Sequence, residues 1–232
     1  MDPIEAIRNA RPEALELMPP LSAPEIASLE TELGHPLPDD LRVLLGHTAA
    51  IDGAPFELDF TGRTMDYEGR DLFPVGVPIA HDGAGNFWVV DANPDEPQAA
   101  PVFFACHDAP VVLYQSDDVG DFLHEVFRKL EPGQTSSVDD VHEDRLFHVW
   151  RENPGALDHA AALAGDAELR AFAAGLDDRF TFVDLRRPVV GMGFSWGRHG
   201  PRTELRRHGY ERLFAYAPPE RKPGLLRRLF GN

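Results

Sequence analysis

Apolar positions follow a helical period over the first fifty residues and a strand period after them. Residues 4–17 carry Ile4, Ile7, Ala14 and Leu17 in a helical pattern that Pro12 interrupts and Pro19-Pro20 ends. Ser22 and Glu25, with Pro24 between them, have the spacing of a capping box. Ile26, Leu29 and Leu33 then mark one face of a helix, and Gly34 stands where a left-handed C-terminal residue is needed. Pro36-Leu37-Pro38 reverses the chain. Asp39 and Asp40 begin a further helix with buried Leu41, Leu44 and Leu45, closed by Gly46.

From about residue 56 the pattern predicts β structure. Residues 77–81 and 86–91 form a hairpin around Asp82-Gly83-Ala84-Gly85. Residues 102–106 and 111–114 form a second around His107-Asp108-Ala109-Pro110. Ser116 is placed to cap a helix whose apolar face is Phe122, Leu123, Val126, Phe127 and Leu130. A polar break at 131–137 suggests a boundary. Beyond it the pattern predicts a short helix over 138–150, an Ala- and Leu-rich helix over 156–175, and strands at 180–186 and 189–196. A third strand pair is suggested within 204–217, and the basic amphipathic tail Arg221–Phe230 follows. The chain thus divides into residues 1–131 and an extension over 138–232, and no internal repeat stands out.

With 43% hydrophobic residues and 15 Phe, the 232-residue chain has ample apolar surface to bury and is not an acidic disordered polymer. Its net charge of −17 disfavours general nucleic-acid binding. That charge is unevenly spread. Residues 1–144 hold 7 Lys/Arg against 29 Asp/Glu, a balance of −22, and residues 145–232 hold 15 against 10, a balance of +5. The single cysteine, Cys106, cannot form a disulfide within the chain or a cysteine zinc site. The acidic N-terminus lacks a signal-peptide pattern, and no apolar run approaches the ~18 residues of a membrane span. These features predict a cytoplasmic protein without stable membrane insertion.

The motifs that suggest catalysis are incomplete. Gly193-Phe194-Ser195-Trp196-Gly197 matches G-x-S-x-G, but Gly197, Gly200 and Pro201 deny it the following helix, and no Asp comes after it. Gly191 and Gly193 begin a dinucleotide fingerprint that fails at Trp196. Cys106 and His107 are strand neighbours and point to opposite faces, so Cys106 reads as a small buried hydrophobe. His142-Glu143 starts a zinc motif whose second histidine is replaced by Leu146. Asp82 to Asn86 hints at a calcium loop, but Ala84 occupies a ligand position, and a tight turn with positive-φ glycines explains it better. No enzyme activity, metal or cofactor is expected.

Residues Ile26–Leu33, followed by Gly34-His35-Pro36-Leu37-Pro38-Asp39-Asp40-Leu41 and Leu44-Leu45, resemble the opening of the SUKH superfamily, the Smi/Knr-type proteins. Phe73-Pro74, Gly85-Asn86-Phe87-Trp88 ending in Asp91, Val102-Phe103-Phe104, and Tyr114-Gln115-Ser116 leading into Phe122-Leu123 resemble the family's core. The resemblance spans about residues 21–130. It implies an α+β fold, a mostly antiparallel sheet with helices packed on it; the residues behind it, outside the resemblance, read as a smaller α+β extension. It also implies a non-enzymatic binding role, either as a bacterial immunity protein that neutralises a cognate toxin or as a regulatory scaffold in cell-wall or envelope assembly. The acidic half suits a protein partner that is a basic toxin domain, since carboxylates can steer and mimic phosphate. The candidate partner-binding residues are those of the loops around the first hairpin: Asp66, Glu68, Asp71, Asp82, Asp95 and Glu96.

Overall fold

The computed structural model describes residues 1–10, 15–63, 69–98 and 100–220. Helix α1 (Pro3–Asn9) starts at Asp2, whose carboxylate accepts from the Ile4 and Glu5 amides. The helical pattern expected to continue to residue 17 ends here. Glu16–Leu17 is instead β1, an edge strand paired with residues 51–52. Helix α2 (Ala23–Leu33) begins at the expected box, where the Ser22 amide and hydroxyl both donate to Glu25. It ends at Gly34, with φ +80°. Helix α3 (Asp39–Leu45) follows.

The strands are β2 (Ala50–Asp52), β3 (Glu57–Asp59), β4 (Val77–His81), β5 (Phe87–Val90), β6 (Val102–Cys106) and β7 (Val111–Ser116). Helix α4 (Val119–Arg128) is capped by Asp118 rather than Ser116, which is still the last residue of β7. A helical stretch then runs through α5 (Ser137–Asp139), a π-helical segment (Asp140–Arg145) and α6 (Leu146–Glu152). The π turn adds one residue to the repeat. Val138 before it, Val141 within it, and Leu146 and Val149 after it therefore all reach the same core, while Phe147 and Trp150 stay exposed.

The helix expected over 156–175 is two, α7 (His159–Leu163) and α8 (Ala167–Ala174). Gly165 and the capping residue Asp166 separate them. Strands β8 (Thr181–Asp184), β9 (Gly193–Ser195), β10 (Glu204–Arg207) and β11 (Leu213–Ala217) complete the described chain. Residues 189–192, expected to be strand, form a turn before β9. The basic tail at 221–230 lies outside the described residues.

The main sheet is antiparallel, in the order β1-β2-β3-β4-β5-β6-β7-β9. Its last strand comes from the C-terminal part of the chain, with Val111 facing Ser195 and Leu113 facing Gly193. The smaller sheet has the order β10-β11-β8.

Alternation along the central strands explains the layers. Trp88, Val90, Val102, Phe104, Val111 and Leu113 face α1 to α6, and together they form the first core. Their neighbours Val89, Phe103, Ala105, Val112 and Tyr114 face the opposite way. They meet Val183, Phe214 and Tyr216 of the smaller sheet. The outer face of that sheet, with Phe182, Leu213 and Ala215, packs on α7 and α8. The result is four layers: helices, large sheet, small sheet and helix pair. This agrees with the α+β class the sequence predicts.

Candidate functional site

Two of the six candidate acidic residues, Asp66 and Glu68, lie outside the described residues. The other four do not converge. Asp82 sits in the turn between β4 and β5, whereas Asp95 and Glu96 sit in the loop between β5 and β6, at opposite ends of β5. Asp95 and Glu96 are exposed. Their loop is fixed by the Asp39 amide, which donates to the Pro97 carbonyl at 2.7 Å.

Asp82 is occupied by its own turn. Its carboxylate accepts from the Ala84 amide at 2.8 Å, the Asn86 side chain at 2.6 Å and His142 Nε2 at 3.0 Å. Burial pushes its pKa up, but these hydrogen bonds outweigh it and hold the carboxyl below its usual value. Gly83 and Gly85 supply the φ values of +76° and +88° that the turn needs. His142 stacks on Trp88 at 5.8 Å, so it ties this hairpin to the π segment. Among the described residues no group of three or more His, Cys, Asp or Glu is arranged to hold a metal ion.

Asp71 is in a different position. It is exposed at the end of a short 3-10 turn (Gly69–Asp71), and its side chain has no hydrogen bond or ion pair among the described residues. It stands at a cavity of about 530 Å³, whose apolar lining includes Leu72, Phe87, Ala105, Trp196 and Leu205. The cavity opens beside the first hairpin, near Ala84 and Gly85. Three separate stretches build it: the turn before β4, strands β5 and β6, and the C-terminal segment. The volume falls within the range of ordinary ligand pockets.

A second concavity, of about 690 Å³, lies between the end of β7, α4 and the exposed Val189 and Val190. Its carboxylates already have partners. Asp117 accepts from the Tyr114 hydroxyl, Asp121 from the Met1 amine, Glu125 from Arg128 and the Ser137 amide, and Asp140 from Arg145.

The residues that join the two halves were not foreseen. Asp91, at the end of the first hairpin, is 1% exposed. It receives both terminal nitrogens of Arg207, at 2.7 and 2.9 Å, and Arg212 Nε at 3.3 Å. Arg207 also donates to the carbonyls of Leu72, Tyr210 and Glu211, so each of its nitrogens is used. Its guanidinium lies over Phe73 and Phe214. Nothing in the sequence singled out Arg207 among the many arginines.

The serine motif has a structural explanation. A Cβ on Gly193 would lie 1.9 Å from the Val112 carbonyl oxygen, and one on Gly197 would lie 2.4 Å from the Pro110 side chain. Both glycines therefore permit close packing. Ser195 is fully buried, and its Oγ has no hydrogen-bond partner among the described residues. Its amide donates to Asn153 Oδ1 at 2.9 Å, which caps the edge of β9. Burial raises the Cys106 thiol pKa, away from the range of a reactive thiolate.

Residues 20–125, from α2 through most of α4, match the SMI1 / KNR4 family (SUKH-1). Over those residues, somewhat under half of its length, the chain is similar to that family. No curated protein matches the chain, and no solved structure does. The SUKH-1 region includes the first hairpin, Asp71 and Asp91, while Trp196, Leu205 and Arg207 come from outside it. No helix among the described residues is long and apolar enough to cross a membrane.

Proposed function

We propose that this protein is a non-enzymatic immunity protein: it binds a basic toxin domain and blocks it by protein–protein contact. The observation that carries this reading is the distribution of charge over a SUKH-1 fold. The acidic excess of −22 belongs to residues 1–144. Over 145–220, by contrast, 11 Lys/Arg stand against 10 Asp/Glu, which leaves only +1. Arginines of that segment are also engaged in cis. Arg179 pairs with Asp177 and Glu204, Arg186 with Asp166, Glu168 and Asp184, and Arg207 and Arg212 with Asp91. The acidic half therefore keeps its negative field, which accelerates encounter with a basic protein and weakens with salt.

The test is growth rescue by co-expression with a panel of basic toxin domains, followed by calorimetry on the rescued pair. The expected result is rescue together with a one-to-one complex whose association slows as salt rises from 50 to 300 mM. Absence of rescue and of any complex across the panel contradicts the reading. Dependence on envelope-assembly proteins instead would favour a scaffold.

A further inference from the structure

We propose that the cavity beside the first hairpin receives an arginine or lysine side chain of the protein partner, with Asp71 meeting its charge. The inference rests on the reading of the protein as a binder of a basic domain, and it names the site and the chemistry.

Two features of the cavity are complementary to such a side chain. Much of its wall is apolar and partly aromatic, from Leu72, Phe87, Ala105, Trp196 and Leu205, with His107 also on the lining. Long cationic side chains bury a hydrocarbon stem and keep a polar head at the rim, and aromatic walls attract the cation. Its rim carries an exposed carboxylate, Asp71, with no partner among the described residues. In the concavity near α4, by contrast, each of the lining carboxylates Asp117, Asp121, Glu125 and Asp140 already accepts a hydrogen bond from this chain. An incoming cation there displaces existing contacts, whereas at Asp71 it adds one.

The cavity is also rigidly built. Phe87 and Ala105 are cross-strand partners in the large sheet. Leu205 lies on β10, and the Leu72 carbonyl accepts from Arg207. A pre-formed pocket spares the ordering cost that weakens flexible sites. The C-terminal segment thereby contributes two walls of a site on the SUKH-1 region.

The test uses n-butylguanidinium as the probe and N-butylurea as its neutral counterpart, titrated into the ¹⁵N-labelled full chain. The indole signal of Trp196, assigned through Trp196→Phe, should shift saturably with butylguanidinium while that of exposed Trp150 stays in place. N-butylurea should bind more weakly. Asp71→Asn should weaken butylguanidinium binding about twofold to fivefold, the range of an exposed ion pair. Leu205→Trp, which fills the cavity, should abolish saturation. Its circular dichroism and melting temperature confirm that it folds, and exposed Asp71→Asn provides an independent arm if it does not.

No saturable shift, equal binding of the urea, or indifference to Asp71→Asn overturns the proposal. The same two variants are then carried into the toxin assay. Weakened complex formation supports the assignment to the partner, and an unchanged complex overturns it while leaving toxin binding standing. Cavity binding with the expected pattern but no rescued toxin would sink the immunity reading and leave the chemistry of the cavity intact.

Discussion

Strand β6 reads Val-Phe-Phe-Ala-Cys and strand β10 reads Glu-Leu-Arg-Arg, yet they belong to sheets that face one another across a single core. The first lies in the SUKH-1 region and is buried on both faces. The second is half-buried: Leu205 packs at the edge of that core, and Arg207 turns inward to a carboxylate. The SUKH-1 region holds its layers mainly by area: Trp88, Phe104, Phe122, Leu29 of α2 and the leucines of α3 are fully buried in one cluster. The C-terminal segment adds a polar lock to a smaller apolar contact. The first region supplies a sheet with two apolar faces, and the second covers the face that the helices leave open.

If the comparison holds, the largest effect comes from removing the cover. Residues 1–144 expressed alone lose β9 and expose Phe103, Val112 and Tyr114 on the second face. An apolar area of that kind promotes association. The truncated chain should aggregate or bind a hydrophobic dye in light-scattering and fluorescence assays. A monomeric truncation with a cooperative melt would break the comparison.

Arg207→Met comes next. It leaves Asp91 buried with Arg212 as its remaining ionic partner, and removing one member of a buried pair costs about 3–5 kcal/mol. For a chain of this length each kcal/mol moves the melting temperature by roughly 2–4 °C, so differential scanning calorimetry should show a fall of about 10 °C.

Gly193→Ala forces β9 away from the Val112 carbonyl and should cost about 1–3 kcal/mol, as overpacking typically does. Chemical denaturation measures it. A neutral Gly193→Ala would mean that β9 is loosely held.

The acid response sharpens the same contrast. The folded pKa of Asp82 lies below its unfolded value near 3.8, so its stabilisation is complete above that value and is lost as pH falls through the folded one. Melting temperatures should therefore show a loss below about pH 4 that Asp82→Asn reduces. Asp82→Asn should cost about 1–2 kcal/mol at pH 7, since it weakens hydrogen bonds to a charged acceptor.

Ser195→Ala should have the smallest effect, within about 0.5 kcal/mol, because its buried Oγ has no partner among the described residues. It should also leave the proposed toxin binding unchanged. A lost function with an intact fold would revive the serine motif.

The sequence made the SUKH-1 region largely legible because its signals are local. The capping box at Ser22 and Glu25, the left-handed Gly34 and the Gly83/Gly85 turn all appear where spacing puts them. The helix over 4–17 stops at Asn9, and Glu16-Leu17 pairs instead with Ile51-Asp52, a distant contact that helical periodicity does not register. The long helix over 156–175 failed at Gly165-Asp166, where a strong cap outweighed the propensity of the flanking alanines.

The site was legible only in part. Asp71 was visible as an acid near the hairpin. Leu72, Phe87, Trp196 and Leu205 were not visible as a group, because the cavity exists only once three distant stretches are packed together. Apolar runs such as Val102-Phe103-Phe104-Ala105-Cys106 did carry a hint. A strand apolar at every position needs cover on both faces, and only the C-terminal segment could supply the second.

Asp91 and Arg207 join the two regions. A double-mutant cycle of Asp91→Asn, Arg207→Met and the pair, followed by denaturant unfolding at pH 7, tests this directly. The predicted result is a coupling of roughly 1.5–3 kcal/mol, with the double variant more stable than the two single losses added together. Losses that add within about 0.5 kcal/mol would contradict it.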